Sequence, residues 1–248
     1  MNLNTFHALP KTAAAKALLT LSALGLAASA GAQVIPATPL SSPSTSLLSR
    51  LDLGLTGGYV GGGGFQVFVD YNNLIGPVGA RLSISSSSNG DGFNDDADLS
   101  GGLLGTIGQQ KANGNISEER ALRQTFGLDA TYPLGQPLPG IATSVYGGLR
   151  YGSFTSRLTY RDGQSTDYKS AAFGVGIGSQ AAYLLTRNIS IVGDLGVDQY
   201  FSKSDITASS GNNTDTFKAG EGGYAAVDNA VNRPGTVFKA MIGVKYSF

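Results

Sequence analysis

The chain has 248 residues, of which only 14% are charged, and its 17 basic and 17 acidic side chains give a formal net charge of zero. An ordinary soluble domain has about 25% charged residues, and a neutral chain has no strong field that would attract nucleic acid. The absence of cysteine excludes disulfides and thiolate metal sites.

The first 32 residues have the features of a cleaved secretory signal peptide. Lys11 and Lys16 precede an apolar run at 17–30, and the small residues at 30–32 offer a cleavage site. No later stretch approaches the roughly 20 continuous apolar residues that a spanning helix needs. Residues 33–49, which are rich in proline and serine, predict a periplasmic linker. An exported chain without a membrane helix is either soluble or a β-barrel.

From residue 50 to 248 the chain divides into eight segments in which apolar residues recur at every second position, the period of a β-strand. These segments lie at about 51–59, 65–71, 78–84, 122–132, 145–151, 173–183, 189–197 and 238–248. Short turns alternate with longer polar connections, which we predict to be extracellular loops at about 86–119, 157–169 and 203–234. The predicted fold is all-β, an eight-stranded antiparallel transmembrane β-barrel with an apolar, lipid-facing exterior and a polar, charge-paired interior.

Aromatic residues support this prediction at both the turns and the end of the chain. The short turns follow Tyr71, Tyr132 and Tyr183, which predict an aromatic girdle at the periplasmic interface. The last six residues begin with a glycine and then alternate up to Tyr246 and Phe248.

This ending resembles the signal by which bacterial outer-membrane β-barrels are handed to the barrel-assembly machinery. The pattern of residues 50–248 resembles the small barrels of the OmpA transmembrane-domain, OmpX and OmpW group. The resemblance implies that Gly243, Tyr246 and Phe248 form the assembly signal. It also implies location in the bacterial outer membrane, with membrane lipid and the assembly machinery as partners.

A soluble, lipocalin-like barrel has the same period of two but turns its apolar face inward. Here the polar face consists of glycine, serine, threonine and scattered charges. It lacks the dense charged coat that a soluble surface needs. The membrane barrel is therefore the favoured interpretation.

The polar face of the predicted strands carries nine charged side chains. They are Asp70, Arg81, Arg123, Asp129, Arg150, Asp194, Asp198, Lys239 and Lys245. Charges enclosed in a narrow barrel are unfavourable unless they are paired, so these residues predict a salt-bridged plug. Three glycines on the sixth strand, Gly174, Gly176 and Gly178, leave room in the interior and are the support for a conducting path instead.

The alternation also predicts specific partners inside the barrel. Asp70 and Arg81 are expected to face each other across the turn at 72–76. Asp194 and Asp198 have glycines beside them on the neighbouring strand, so we expect their partners to reach across the lumen. The candidates are Arg123, Arg150 and Lys239.

Catalysis is not expected. Small outer-membrane barrels that modify lipid use a histidine beside a serine, and the single histidine here, His7, belongs to the predicted signal peptide. One polar loop offers oxygen ligands at Asn89, Asp91, Asp95 and Asp98, in the spacing of half a thrombospondin type 3 calcium repeat. A solvated acidic loop without calcium is the favoured interpretation, and no other cofactor is indicated.

Two classes of function remain. The first is a non-enzymatic structural or surface-interaction role in envelope integrity or adhesion, in which the long loops contact envelope polysaccharide or neighbouring surface proteins. The second is a narrow pore for small or apolar solutes. The first is preferred because an eight-stranded barrel is just wide enough for side chains to fill.

Overall fold

The computed structural model describes residues 47–100, 102–201 and 204–248. The predicted signal peptide and residues 33–46 of the predicted linker lie outside this range, and both assignments stay predictions. A single 3-10 turn at Leu47–Arg50 leads into the first strand. Among the described residues, no helix has the length and apolar character needed to cross a membrane.

Eight antiparallel strands pair in a closed ring. They are β1 (Leu51–Val60), β2 (Gly63–Ile75), β3 (Val78–Asn89), β4 (Ile116–Leu138), β5 (Ile141–Tyr160), β6 (Ser165–Leu184), β7 (Ile189–Tyr200) and β10 (Thr236–Ser247). The strands from β1 to β7 each pair with the next along the chain, β7 pairs with β10, and β10 returns to β1. The predicted eight-stranded antiparallel barrel is confirmed.

The period of two places the apolar side chains on the outside of this ring. On β3, Leu82 and Ile84 are 49% and 60% exposed, whereas Arg81, next to Leu82, is 1% exposed. A soluble barrel has the opposite arrangement, because its apolar side chains fill the interior. The outer wall is therefore the apolar surface that a membrane barrel presents to lipid.

The connections differ in length at the two ends of the barrel. The turns at 76–77, 139–140 and 185–188 are short and lie at one end, which we call the turn end. Two long connections lie at the opposite end, the loop end, together with the short turns at 61–62 and 161–164. In outer-membrane barrels the short turns face the periplasm and the long loops face outward.

The predicted loop at 157–169 is wrong, because most of it is strand. The β5–β6 ladder continues through the register pairs Arg157↔Asp167 and Thr159↔Ser165. Beyond the ring a hairpin of β8 (Ile206–Ser210) and β9 (Asn213–Phe217) adds to the edge of β6. Two short helices complete this region, α1 (Ile107–Ala112) and α2 (Tyr224–Ala230).

These elements form a folded cap, by which we mean residues 90–115 and 204–233 together with the projecting ends of β4, β5 and β6. The cap has its own hydrophobic core outside the ring. The buried members are Phe93, Ala97, Ile107, Ile116, Leu158, Ile206, Tyr224, Val227, Ala230 and Val231. The segments predicted as polar loops at 86–119 and 203–234 thus contain a packed core where the structure describes them.

Aromatic side chains mark both ends of the lipid-facing wall. At the turn end, Tyr132 and Tyr183 are outward and about half exposed, while Tyr71 is half-buried. A second belt near the loop end consists of Tyr59, Phe65, Tyr151, Phe173 and Phe238. Phe173 and Tyr183 are ten residues apart on β6, or about 33 Å along the strand. A strand tilt of about 40° reduces this to about 25 Å, the height of the apolar band of such barrels.

Candidate functional site

Charged side chains fill the lumen in two connected clusters. The first, the Arg81 cluster, consists of Asp70, Arg81, Tyr146 and Asp194. Asp70 and Arg81 are register partners on β2 and β3, and the guanidinium donates to both oxygens of Asp70, with Nε–Oδ1 at 2.6 Å and Nη2–Oδ2 at 2.8 Å. Arg81 also lies 3.4 Å from Asp194 of β7, and the Tyr146 hydroxyl donates to that carboxylate at 2.6 Å. The predicted pairing of Asp70 with Arg81 is confirmed.

The second, the Arg150 cluster, consists of Asp129, Arg150, Asp198 and Lys239, from β4, β5, β7 and β10. Arg150 donates to Asp129 at 2.7 Å and to Asp198 at 2.8 Å. The Lys239 ammonium lies 3.2 Å from the same oxygen of Asp198. Each of these side chains is almost completely buried, so each charge depends on its partners rather than on water.

The Tyr146 ring joins the two clusters. The Arg81 guanidinium lies 4.9 Å from its centroid and the Lys239 ammonium lies 5.3 Å from it, both within cation–π range. Arg81 also lies 4.3 Å from the ring centroid of Phe68, which is 1% exposed. Ion pairs and rings therefore alternate across the lumen.

The inward glycines of β6 accommodate these large side chains. A Cβ at Gly178 would lie 2.3 Å from the Tyr146 hydroxyl oxygen, and one at Gly176 would lie 2.2 Å from Asp198 Oδ1. A Cβ at Gly174 would lie 2.3 Å from the backbone carbonyl oxygen of Gln199 and 3.0 Å from the Tyr200 ring. The room that the sequence leaves at Gly176 and Gly178 is thus occupied by side chains from other strands, and at Gly174 the neighbouring backbone is closer still.

Lys245 pairs with Asp52 at 3.0 Å near the turn end. Sequence reasoning missed Asp52, although the signal was present, because this residue lies between Leu51 and Leu53 on the polar face of the first strand. Asn72 also donates to Asp52 at 3.0 Å. This pair adjoins the Arg81 cluster, because Asp52 is the register partner of Asp70 on β2.

Arg123 does not take the predicted role. Instead of pairing with Asp194 or Asp198, it donates to the backbone carbonyls of Val60 and Gly61, both at 3.2 Å. The prediction of partners for the two aspartates is right for Asp198 and wrong for Asp194, which pairs with Arg81. The reason is geometric, since Arg123 lies nearer the loop end than either carboxylate.

The four residues of the predicted calcium loop do not converge. Asn89 donates to the carbonyl of Gly61, and Asp91 accepts from Asn232. Asp95 pairs with Lys111, whose ammonium also contacts Glu119. Asp98 closes its own turn, and hydrogen bonds from the side chain and backbone of Ser100 hold its pKa below the usual value.

Lys111 thus lies between Asp95 and Glu119, and of the four predicted ligands it contacts Asp95. In the part of the chain that the structure describes, no three acidic side chains are grouped as an ion site. These carboxylates instead fix the conformation of the cap loop.

The residues of the predicted assembly signal lie at the seam where the ring closes. Gly243 is the register partner of Thr56 on β1, and the Phe248 amide donates to the Leu51 carbonyl at 3.2 Å. The Tyr246 and Phe248 rings meet edge to face with centroids 4.9 Å apart. Recognition of this ending by the assembly machinery stays a prediction.

The chain is similar to a solved major outer membrane protein from Thermus thermophilus. The two are 32% identical with a TM-score of 0.70, and the similarity covers 80% of this chain and 98% of that protein. This chain belongs to the family of that outer-membrane protein. It is therefore a bacterial outer-membrane β-barrel protein, and the outward apolar wall described above faces membrane lipid.

Two further solved structures are similar at lower identity. The N-terminal β-barrel domain of OprF from Pseudomonas aeruginosa is 15% identical, with a TM-score of 0.42 over 80% of this chain and 96% of that domain. The attachment invasion locus protein Ail of Yersinia pestis is 11% identical, with a TM-score of 0.40 over the same shares. No protein-family model matches the chain, and no curated protein matches it in sequence.

The Arg81 cluster predicts strong coupling between Asp70 and Arg81. Removing one partner of a buried ion pair costs about 3–5 kcal/mol, because the other charge is left uncompensated. We expect Asp70→Ala and Arg81→Ala each to lower the free energy of unfolding by about this amount, and the double variant to lose clearly less than their sum. Urea unfolding in lipid vesicles measures the coupling.

The matched control is Arg157–Asp167, which is also bidentate, at 2.5 and 2.8 Å, but partly exposed on the cap. An exposed pair is expected to show a coupling of about 0–1 kcal/mol. Additive losses at Asp70 and Arg81, or equal coupling in the two pairs, would show that burial does not strengthen the lumen pair.

Proposed function

We propose that this outer-membrane protein is a non-conducting barrel with a structural and surface-interaction role. The observation that carries the proposal is the filled lumen, in which the Arg81 and Arg150 clusters join side chains from six of the eight strands. Arg81 of β3 contacts Asp194 on β7, the opposite side of the eight-stranded ring, and Tyr146 and Arg150 of β5 reach over β6 to β7. Opening a path would require several buried ion pairs to separate together.

The cap supports a role at the cell surface. Its hydrophobic core and the continuous β5–β6 ladder hold it rigidly on the barrel. A small barrel that is closed inside but carries a folded extracellular cap suits display or contact with other surface components better than transport. We propose envelope polysaccharide or neighbouring surface molecules as its partners, by way of the cap.

The alternative role as a narrow pore loses the feature that favoured it. The glycines that suggested space in the lumen are in contact distance of Tyr146, Arg150 and Tyr200. We propose no catalytic role, because a lipid-modifying barrel of the histidine type needs an imidazole in the mature chain, and the only histidine is His7.

Single-channel recording tests the proposal. Refolded protein in a planar lipid bilayer is expected to give little or no conductance, since buried ion pairs of the two clusters occupy its lumen. Insertion is verified independently by the change in electrophoretic migration between unheated and boiled samples. Steady, large conductance from inserted wild-type protein would overturn the non-conducting role and favour the pore.

A further inference from the structure

The projecting ends of β4, β5 and β6 and the β8–β9 hairpin form one five-stranded sheet in the cap. One side of this sheet packs against the cap core through Leu158, Tyr168, Ile206 and Phe217. The other side is the outer face, which no described part of the chain covers.

The ladder register arranges the outer face in rows. The row farthest from the membrane is Glu118, Thr159 and Ser165, and the two rows below it span all five strands. The upper row is Arg120, Arg157, Asp167, Ser209 and Thr214, and the lower row is Leu122, Thr155, Lys169, Thr207 and Thr216. Neighbouring strands are about 4.8 Å apart, so the five hydroxyls and three basic groups form a regular, flat array. The ten residues include no aromatic side chain.

The ten residues of the two rows carry three basic groups and one acid. Arg120 lies directly opposite Arg157, and like charges at directly opposed positions repel. Asp167 compensates Arg157 through two hydrogen bonds. Arg120 and Lys169 form no ion pair with any residue that the structure describes. An anionic group beside Arg120 would reduce its repulsion with Arg157, and a second one beside Lys169 would neutralise that ammonium.

The outer face continues the lipid-facing wall on the same strands. Lys169 precedes the belt residue Phe173 by four residues, or about 13 Å along the strand. With a tilt of about 40° this is about 10 Å above the belt. The headgroup layer of one leaflet is about 5–8 Å thick. Lys169 therefore lies at the outer edge of this layer, at the height where the saccharides of a glycolipid would start.

We propose that the outer face binds the phosphorylated saccharide headgroup of glycolipids in the same membrane. Phosphate suits the paired donors of arginine and the ammonium of lysine, and the ordered serine and threonine hydroxyls can both donate to and accept from sugar hydroxyls. A protein partner is less suitable, because protein interfaces are anchored by large aromatic residues. This inference rests on the proposed surface role and specifies a glycolipid headgroup as the partner of the cap.

Native mass spectrometry of the refolded full chain tests the inference. The protein is titrated in zwitterionic micelles with bis-phosphorylated lipid A, with the dephosphorylated form, with phosphatidylglycerol and with inorganic phosphate as competitor. The test variant is R120Q/K169Q, and the matched control is R161Q/K218Q, which removes two other basic residues of the cap. We expect the test variant to weaken lipid A binding by at least about tenfold, since each base near a membrane surface contributes roughly fivefold. The control should change it by less than about twofold.

A second variant tests the hydroxyl rows without changing charge. T155V/T207V keeps β-branched side chains in the strands and is expected to weaken lipid A binding severalfold while phosphatidylglycerol binding is unchanged. Equal losses in the test and control variants would overturn the inference. Equal affinity for lipid A and its dephosphorylated form would also overturn it. Equal affinity for phosphatidylglycerol would instead indicate a general anionic-lipid surface, and displacement by inorganic phosphate at comparable concentration would indicate a free-phosphate site; either result overturns the inference.

The two proposals fail separately. If the wild-type protein shows no conductance in bilayers and binds no lipid A, the structural role stands and the glycolipid-binding surface is wrong. If the protein conducts, the non-conducting role is wrong, whatever the protein binds.

Discussion

Replacing Arg150 with alanine is expected to open the lumen and to destabilise the barrel. The change removes the guanidinium that bridges Asp129 and Asp198 and leaves Lys239 as the remaining base beside Asp198. An uncompensated carboxylate in the lumen attracts water and cations, so the openings should prefer cations. Because a buried pair is broken, the free energy of unfolding should fall by about 3–5 kcal/mol.

Bilayer recordings and urea unfolding measure the two effects. The matched control is Arg123→Ala, which removes the same side chain from the inward face of β4 but breaks contacts to two backbone carbonyls and no ion pair. Adding Asp129→Asn to Arg150→Ala leaves Asp198 paired with Lys239, so it should recover stability and remove the cation preference. If Arg150→Ala were as silent and as stable as the wild type, the Arg150 cluster would not be what closes the lumen.

The wall of the barrel could be predicted from sequence because its pattern is local. Leu82 and Ile84 alternate with Arg81 and Ser83, and a membrane barrel requires this alternation in every strand. The cap could not be predicted in the same way. Around Leu158 and Tyr168 the strands extend beyond the membrane, so the outward residues of these strands become polar. The difference in polarity between the two faces of the sheet, which identifies a strand in the sequence, is therefore smaller there.

The sequence predicted which charged residues lie in the lumen, but only some of the ion pairs that they form. The pair of Asp70 and Arg81 lies within one hairpin, and its register includes a shift between Tyr71 and Ile75 as well as the short turn at 76–77. Whether Asp194 meets Arg81 or Arg123 depends on the stagger of the closed ring and on which strands face each other across it. Residues 81 and 194 are far apart in the chain, and no local pattern carries that information.

The second large effect is expected at Gly243, where the ring closes. A Cβ at this position would lie 1.9 Å from the carbonyl oxygen of Leu55 and 2.6 Å from the Cα of Thr56, both backbone atoms of β1. Backbone in a paired strand cannot move aside without lengthening the ladder hydrogen bonds. Gly243→Ala should therefore destabilise the β1–β10 seam by about 1–3 kcal/mol or more and reduce the fraction that folds.

Refolding into lipid vesicles without any assembly machinery measures this packing effect alone, with heat-modifiable migration as the readout of folded barrel. The matched control is Gly193→Ala on the neighbouring strand, where an added Cβ meets nothing within 4 Å and points toward lipid beside Ile242. We expect the control to fold like the wild type and Gly243→Ala to fold slowly and incompletely. If Gly243→Ala refolded normally in vesicles but failed to assemble in cells, the packing explanation would be wrong, and the glycine would act through recognition of the chain's ending.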